Sequence, residues 1–269
     1  MSTYPTFQGP AERIDTHLHL LYPDRFDYSW TDGYPKLNGA FEIEDYRAEA
    51  ESCGIAGALF MEVDVDAGQA ADEARYFYEM TRSTNSFLWG VIASARPEDE
   101  DFERDLDLLA DSALRGIRRV LHTQPDTLST SSLFRSNVSI LASRGLTFDL
   151  CVQQRQLPLA VELVDACPNT SFILDHCGSP DIAGNGLENW AEALRSLALR
   201  PNVACKISGL PSYCAPGLVT KDVLKPYIEI VTEAFGWDRV TWGGDWPVCR
   251  HNSSLGEWCA VLDEVLSGE

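Results

Sequence analysis

The chain has 269 residues, 45% of them hydrophobic, and a formal net charge of -20 from 21 Lys and Arg against 41 Asp and Glu. That length suits one large single-core domain, near the about 250 residues of an α/β barrel. The acidity argues against nucleic acid and anionic membranes as partners, and no apolar run approaches the roughly 20 residues of a membrane span. Met1 to Gly9 is polar and lacks the basic and apolar regions of a signal peptide, so a cytoplasmic protein is expected.

In chain order, a strand is predicted over Arg13 to His17, followed by a long loop, Leu20 to Phe41, rich in aromatics. This loop could fold over a site or simply pack. Apolar residues at three- and four-residue spacing then predict helices over Glu44 to Cys53, Gln69 to Thr81, Phe102 to Ala113, Leu133 to Ser143, Leu157 to Ala166, Leu187 to Leu199, Asp222 to Phe235 and Leu255 to Leu266. Between them, β-rich runs predict strands over Ala58 to Val63, Phe87 to Ala93, Gly116 to Leu121, Thr147 to Val152, Ser171 to Asp175, Asn202 to Ile207 and Arg239 to Trp242. Gly145, Pro168 and Pro201 sit just past helix ends, where helix breakers belong. Eight strand–helix repeats without a composition break predict one domain over residues 1–269, a closed (β/α)8 TIM barrel rather than an open sheet. No glycine-rich phosphate loop follows the first strand.

Eight cysteines, none in a CxxC pair, rule out a zinc ribbon and read as buried free thiols in a reducing compartment.

In a barrel of this kind the site forms where the strands end. His17 and His19 end strand one and, one residue apart, share a face. Glu62 ends strand two, His122 follows Arg118 and Arg119 at strand four, Asp175 and His176 end strand six, Lys206 and Ser208 lie on strand seven, and Asp245 follows Gly243 and Gly244 after strand eight. Four of the five histidines fall at these ends, and only His251 lies in a later loop. A carboxylate at a buried strand end needs a partner, which histidines or a metal supply.

His17-Leu18-His19, the run Leu174-Asp175-His176-Cys177-Gly178-Ser179-Pro180, and Gly243-Gly244-Asp245-Trp246-Pro247-Val248 together resemble the amidohydrolase superfamily. Cys205-Lys206-Ile207-Ser208-Gly209-Leu210, Gly116-Ile117-Arg118, and Phe148-Asp149-Leu150 with Gln156-Leu157-Pro158 narrow the resemblance to its lactonase branch, over residues 13 to 266. The resemblance implies hydrolysis of a cyclic ester, a sugar-acid lactone first. Asp245 would be the general base, with His176 beside it in catalysis. His17, His19, His176 and Asp245, with Glu62 as a possible extra ligand, would hold one divalent ion, zinc by donor chemistry. Some members of the branch share these ligands yet work without metal, so dependence on the ion stays open. Arg118 and Lys206 would grip substrate oxygens, with His122 and Trp30 as further substrate contacts. No lysine available for carbamylation ends strand four, so one ion rather than two is expected.

Two alternatives stay open. A pyrone- or muconolactone-type dicarboxylate lactone would need several arginines at the mouth, and Arg118, Arg119, Arg155 and Arg250 are available. A metal-dependent aromatic-acid decarboxylase of the same superfamily would share the first and last motifs. The partner expected is a small lactone, and the sequence leaves a homo-oligomer open.

Overall fold

The computed structural model describes residues 13–184 and 186–267. The Met1 to Gly9 reading therefore lies outside the described residues. Eight strands pair in parallel in sequence order: β1 (Arg13–Leu18), β2 (Ile55–Met61), β3 (Leu88–Ser94), β4 (Leu114–Val120), β5 (Thr147–Cys151), β6 (Ser171–Leu174), β7 (Val203–Ile207) and β8 (Val240–Trp242). The helices between them are α1 (Ile43–Ser52), α2 (Ala70–Thr81), α3 (Phe102–Leu108), α4 (Ser132–Arg144), α5 (Leu157–Ala166), α6 (Leu187–Ala198), the short α7 (Leu210–Tyr213), α8 (Lys221–Phe235) and α9 (Leu255–Ser267). This is a (β/α)8 TIM barrel. Among the described residues no helix is long and apolar enough to cross a membrane.

The barrel closes between β1 and the segment that follows β8. The Thr16 hydroxyl donates to the Trp242 carbonyl at 2.7 Å. The Asp245 N–H donates to the His17 carbonyl at 2.9 Å, and the His19 N–H to the Trp246 carbonyl at 2.8 Å. The seam is therefore built by the two segments that carry the most chemistry.

Two departures from the predicted elements have a clear local cause. The third helix stops at Leu108 instead of running to Ala113, because the Asp111 side chain accepts the Ala113 N–H at 2.8 Å and offers the backbone a turn instead. The second strand begins at Ile55, three residues before the apolar run. Gly57 lets the Trp89 side chain lie directly across the strand, and a Cβ there would stand 2.4 Å from the indole.

Outside the strands the core is apolar, with Phe60, Phe77, Phe148, Trp190 and Trp258 fully buried under the helices. Inside the barrel it is ionic. Glu62, Arg118, Asp149, Asp175 and Lys206 are all buried there. Buried charges persist only when paired, so the interior is a network of partners rather than a layered apolar plug.

The long first loop does both things the sequence allowed. Tyr22, Phe26 and Tyr28 join the core, while Trp30, Tyr34 and Leu37 wall a cavity at the strand ends. The Trp30 indole N–H donates to the Val63 carbonyl at 2.9 Å, and the Lys36 ammonium to the His251 carbonyl at 2.8 Å, which tie the loop to both sides of the mouth.

Candidate active site

A cavity of about 380 Å³ opens at the carboxyl ends of the strands, lined by His19, Arg118, His122, His176 and Asp245 among others. His17 sits just beneath its floor, fully buried, with its ring centroid 4.5 Å from that of His176. His17 Nε2 lies 3.1 Å from His19 Nε2, and the Asp245 Oδ1 lies 3.7 Å and 3.5 Å from these two nitrogens. His17, His176 and Asp245 each bring one ligand atom within 4.8 Å of the others.

Each imidazole is aimed by a second partner. His19 Nδ1 lies 3.0 Å from the Met61 carbonyl, which only accepts, so the proton is on Nδ1 and Nε2 carries the lone pair. His176 Nδ1 meets the Ser208 hydroxyl at 2.9 Å. His17 Nε2 lies 3.3 Å from Arg118 Nη1, and its Nδ1 lies 3.4 Å from both Asp175 Oδ1 and the Lys206 ammonium. Burial drives His17 well below the ordinary imidazole value, with Lys206 and His176 pushing the same way against Asp175. Burial also lowers His176, opposed by Asp245 and Asp175. His17 and His19 thus bring their Nε2 atoms together beside a carboxylate, a donor set that fits a single divalent cation.

The backbone is bent to make this arrangement. His176 and Asp245 both take left-handed conformations, φ 53° in each case, at a cost of order 1–3 kcal/mol apiece for a residue with a Cβ. Gly209, φ +65°, passes close by, and a Cβ there would stand 2.5 Å from His176 Nδ1.

Beneath the floor, the Lys206 ammonium donates to Asp149 Oδ1 at 2.8 Å and Asp175 Oδ1 at 3.0 Å. Burial opposes its charge, but the two carboxylates raise its pKa overall. Burial works against the Asp175 charge too, yet Lys206 and His17 hold the carboxyl well below its ordinary value. Asp149, with burial dominant, is pushed up to about 6. Lys206 was expected to grip substrate. It does not line the cavity, because its donors are committed to two carboxylates under His17.

Glu62, expected as an extra metal ligand, has both oxygens engaged by protein donors. Arg118 Nε donates to Oε1, and the Asp64 N–H donates to Oε2 at 2.8 Å. Burial works to raise this carboxyl, but Arg118 holds it below its ordinary value by charge and hydrogen bond. Trp30 and His122 do line the cavity.

A family model described as amidohydrolase matches residues 14–266. The chain belongs to the amidohydrolase family. Within that family, it falls in the lactonase branch. It is 30% identical over 259 residues to an L-fucono-1,5-lactonase of Burkholderia ambifaria, covering 94% of this chain and 87% of that protein. It is 26% identical over 245 residues to a 4-sulfomuconolactone hydrolase of Rhizobium radiobacter, covering 90% and 78% respectively. A zinc-bound crystal structure of an amidohydrolase from Burkholderia multivorans superposes with a TM-score of 0.87, at 24% identity over 96% of this chain and 93% of that one.

Sequence reading missed several residues that this amidohydrolase brings to the site. His251, set aside as a loop residue, lines the cavity, as do Cys151, Ser212 and Tyr213. Asp149 joins the network beneath it, and Asp15 holds the His17 backbone N–H.

Proposed function

We propose that this enzyme opens a small, uncharged sugar-acid lactone, with L-fucono-1,5-lactone the first choice, by water attack with Asp245 as general base and one zinc ion held by His17, His19, His176 and Asp245. The observation that carries this reading is the convergence of Asp245 with the imidazoles of His17, His19 and His176 at the floor of the cavity. The names of the relatives supply the reaction class, hydrolysis of a lactone.

Bound there, the ion supplies Lewis-acid polarisation of the ester carbonyl. The Asp245 carboxylate takes a proton from the attacking water as oxygen bonds to the carbonyl carbon. Arg118, paired with Glu62, lines the cavity and offers guanidinium N–H groups to the oxyanion that develops. When the ring C–O bond breaks, Asp245 returns the proton to the departing oxygen, and the product is the open hydroxy acid. Trp30 and Tyr34 provide a wall that limits water at the mouth.

The preference for an uncharged substrate comes from where the arginines are. Only Arg118 of the four candidates lines the cavity, and Glu62 neutralises it. Arg119 pairs with Glu98, Arg155 with Asp126 and Arg250 with Glu49. Asp64 and Asp245 add negative charge to the lining. A dicarboxylate would meet no free cation among the described residues. Eight unpaired cysteines, seven of them buried, support placing the enzyme in the reducing cytoplasm.

The test is a panel of lactones with the purified enzyme in weak buffer, following acid release with an indicator. Turnover of sugar lactones, L-fucono-1,5-lactone among the best, is expected. Turnover confined to a pyrone dicarboxylate, or release of carbon dioxide from an aromatic acid in place of lactone opening, overturns the proposal.

A further inference from the structure

His122 and Cys151 form a pair on the cavity wall that the reaction above does not use. His122 follows β4 by two residues and Cys151 ends β5. The two strands are paired in register, Val120 beside Cys151. The Leu121 and His122 N–H groups both donate to the Cys151 carbonyl, at 3.0 Å and 3.1 Å. The sheet, rather than a free loop, therefore sets the imidazole against the thiol. Cys151 Sγ lies 3.1 Å from His122 Nδ1, and among the described residues no other hydrogen bond reaches the ring. Both side chains border the cavity.

Each partner carries one proton. Burial pushes the Cys151 thiol up to about 12, so it stays S–H at neutral pH. Burial, with Arg118 and His176 pushing the same way, lowers His122 to about 4, so the ring is neutral. A neutral imidazole has one donor and one acceptor nitrogen. Sulfur is a weak acceptor and imidazole nitrogen a strong one, so the favoured pairing is S–H to Nδ1. That leaves the ring proton on Nε2, the nitrogen available to a ligand.

Resting on the lactone-hydrolase reading for the identity of the ligand, we propose that Cys151 is a positioning residue whose thiol holds His122 in the Nε2–H tautomer, so that the cavity wall presents a fixed, uncharged hydrogen-bond donor to a hydroxyl oxygen of the bound lactone. The pair then acts as a specificity device. It rewards a neutral oxygen at that point and gives a carboxylate no countercharge.

The tautomer is read directly by long-range proton–nitrogen correlation on enzyme labelled at histidine, without substrate. Wild type is expected to show the Nε2–H form at His122, Cys151→Ala a mixture, and Cys151→Ser the Nε2–H form again, since the serine hydroxyl also donates. With L-fucono-1,5-lactone, Cys151→Ala should raise KM by the inverse of the Nε2–H fraction that remains, about twofold for an even mixture, while kcat is unchanged. Cys151→Ser should restore KM. In a His122→Ala background, Cys151→Ala should add nothing. A wild-type Nδ1–H form, an unchanged tautomer and KM in Cys151→Ala, or additive effects in the double variant overturns the proposal. A wild type that opens no sugar lactone defeats the hydrolase reading instead, and the substrate-free spectra still decide the tautomer.

Discussion

Gly244 donates its backbone N–H to Asp15 Oδ1 at 2.9 Å, although the two residues lie at opposite sides of the barrel seam. The same oxygen accepts the His17 N–H at 2.9 Å, and Oδ2 accepts the Tyr46 hydroxyl at 2.6 Å. One carboxyl group thus sets the spacing between the histidine pair and the segment leading to Asp245. Asp15→Ala leaves three buried donors without a partner and is expected to lower stability by about 3 kcal/mol or more. Burial raises the Asp15 pKa to about 6, so a neutral replacement suits the site. Asp15→Asn keeps an acceptor for both N–H groups and should cost less than half as much. Urea denaturation of the three proteins measures this, and an Asp15→Ala protein within about 1 kcal/mol of wild type would show that the clamp does not hold the seam.

Lys206→Met should act on stability before it acts on substrate. It strips the ammonium from two buried carboxylates, Asp149 and Asp175, and breaking a buried pair from one side costs about 3–5 kcal/mol. A well-folded, stable variant with a selectively raised KM would instead return Lys206 to the substrate contacts.

Glu73 on α2 is buried and accepts the Val63 N–H at 3.3 Å. Burial raises its pKa well above the ordinary value, and the Glu62 charge adds to this. The folded protein therefore holds this proton to higher pH than the unfolded chain. The associated stability is fully present below the unfolded value of about 4.3 and is lost as pH rises through the folded one, at up to about 1.4 kcal/mol per pH unit. Glu73→Gln removes this loss. Melting temperatures from about pH 5 to pH 8 should show the variant gaining on wild type as pH rises, and parallel curves would contradict the assignment.

Asp245→Asn should lower kcat by about a thousandfold or more if Asp245 moves the proton, with the fold intact by circular dichroism. Near-wild-type turnover would exclude that role.

Elemental analysis of enzyme purified without chelator should give about one zinc per chain, and His17→Ala with His176→Ala should lose it. Less than about a tenth of an equivalent, with activity that survives chelator, would refute the zinc assignment.

The barrel was legible because each strand is short, apolar and followed by a periodic helix, and the floor of the site because His17, His19, His176 and Asp245 all sit where such strands end. Lys206 was not. A cation on a strand reads the same whether it faces a ligand or a pair of carboxylates, and Asp149 lies on β5 while Asp175 lies just past β6. His251 escaped because a tight turn, Val248–His251, brings it back over the mouth, and hydrophobic periodicity carries no information about where a turn returns. The early end of α3 lay in one aspartate side chain, which a pattern of apolar residues does not register.

The seam has a temporal consequence. His17 and Asp245 are 228 positions apart and meet only through the hydrogen bonds that join β1 to the segment after β8. Every other strand can pair with its neighbour before that junction forms, yet no proton can be moved until it does. Turnover therefore reports on whether the barrel has closed. During refolding, helical signal should return first and catalysis should lag behind it.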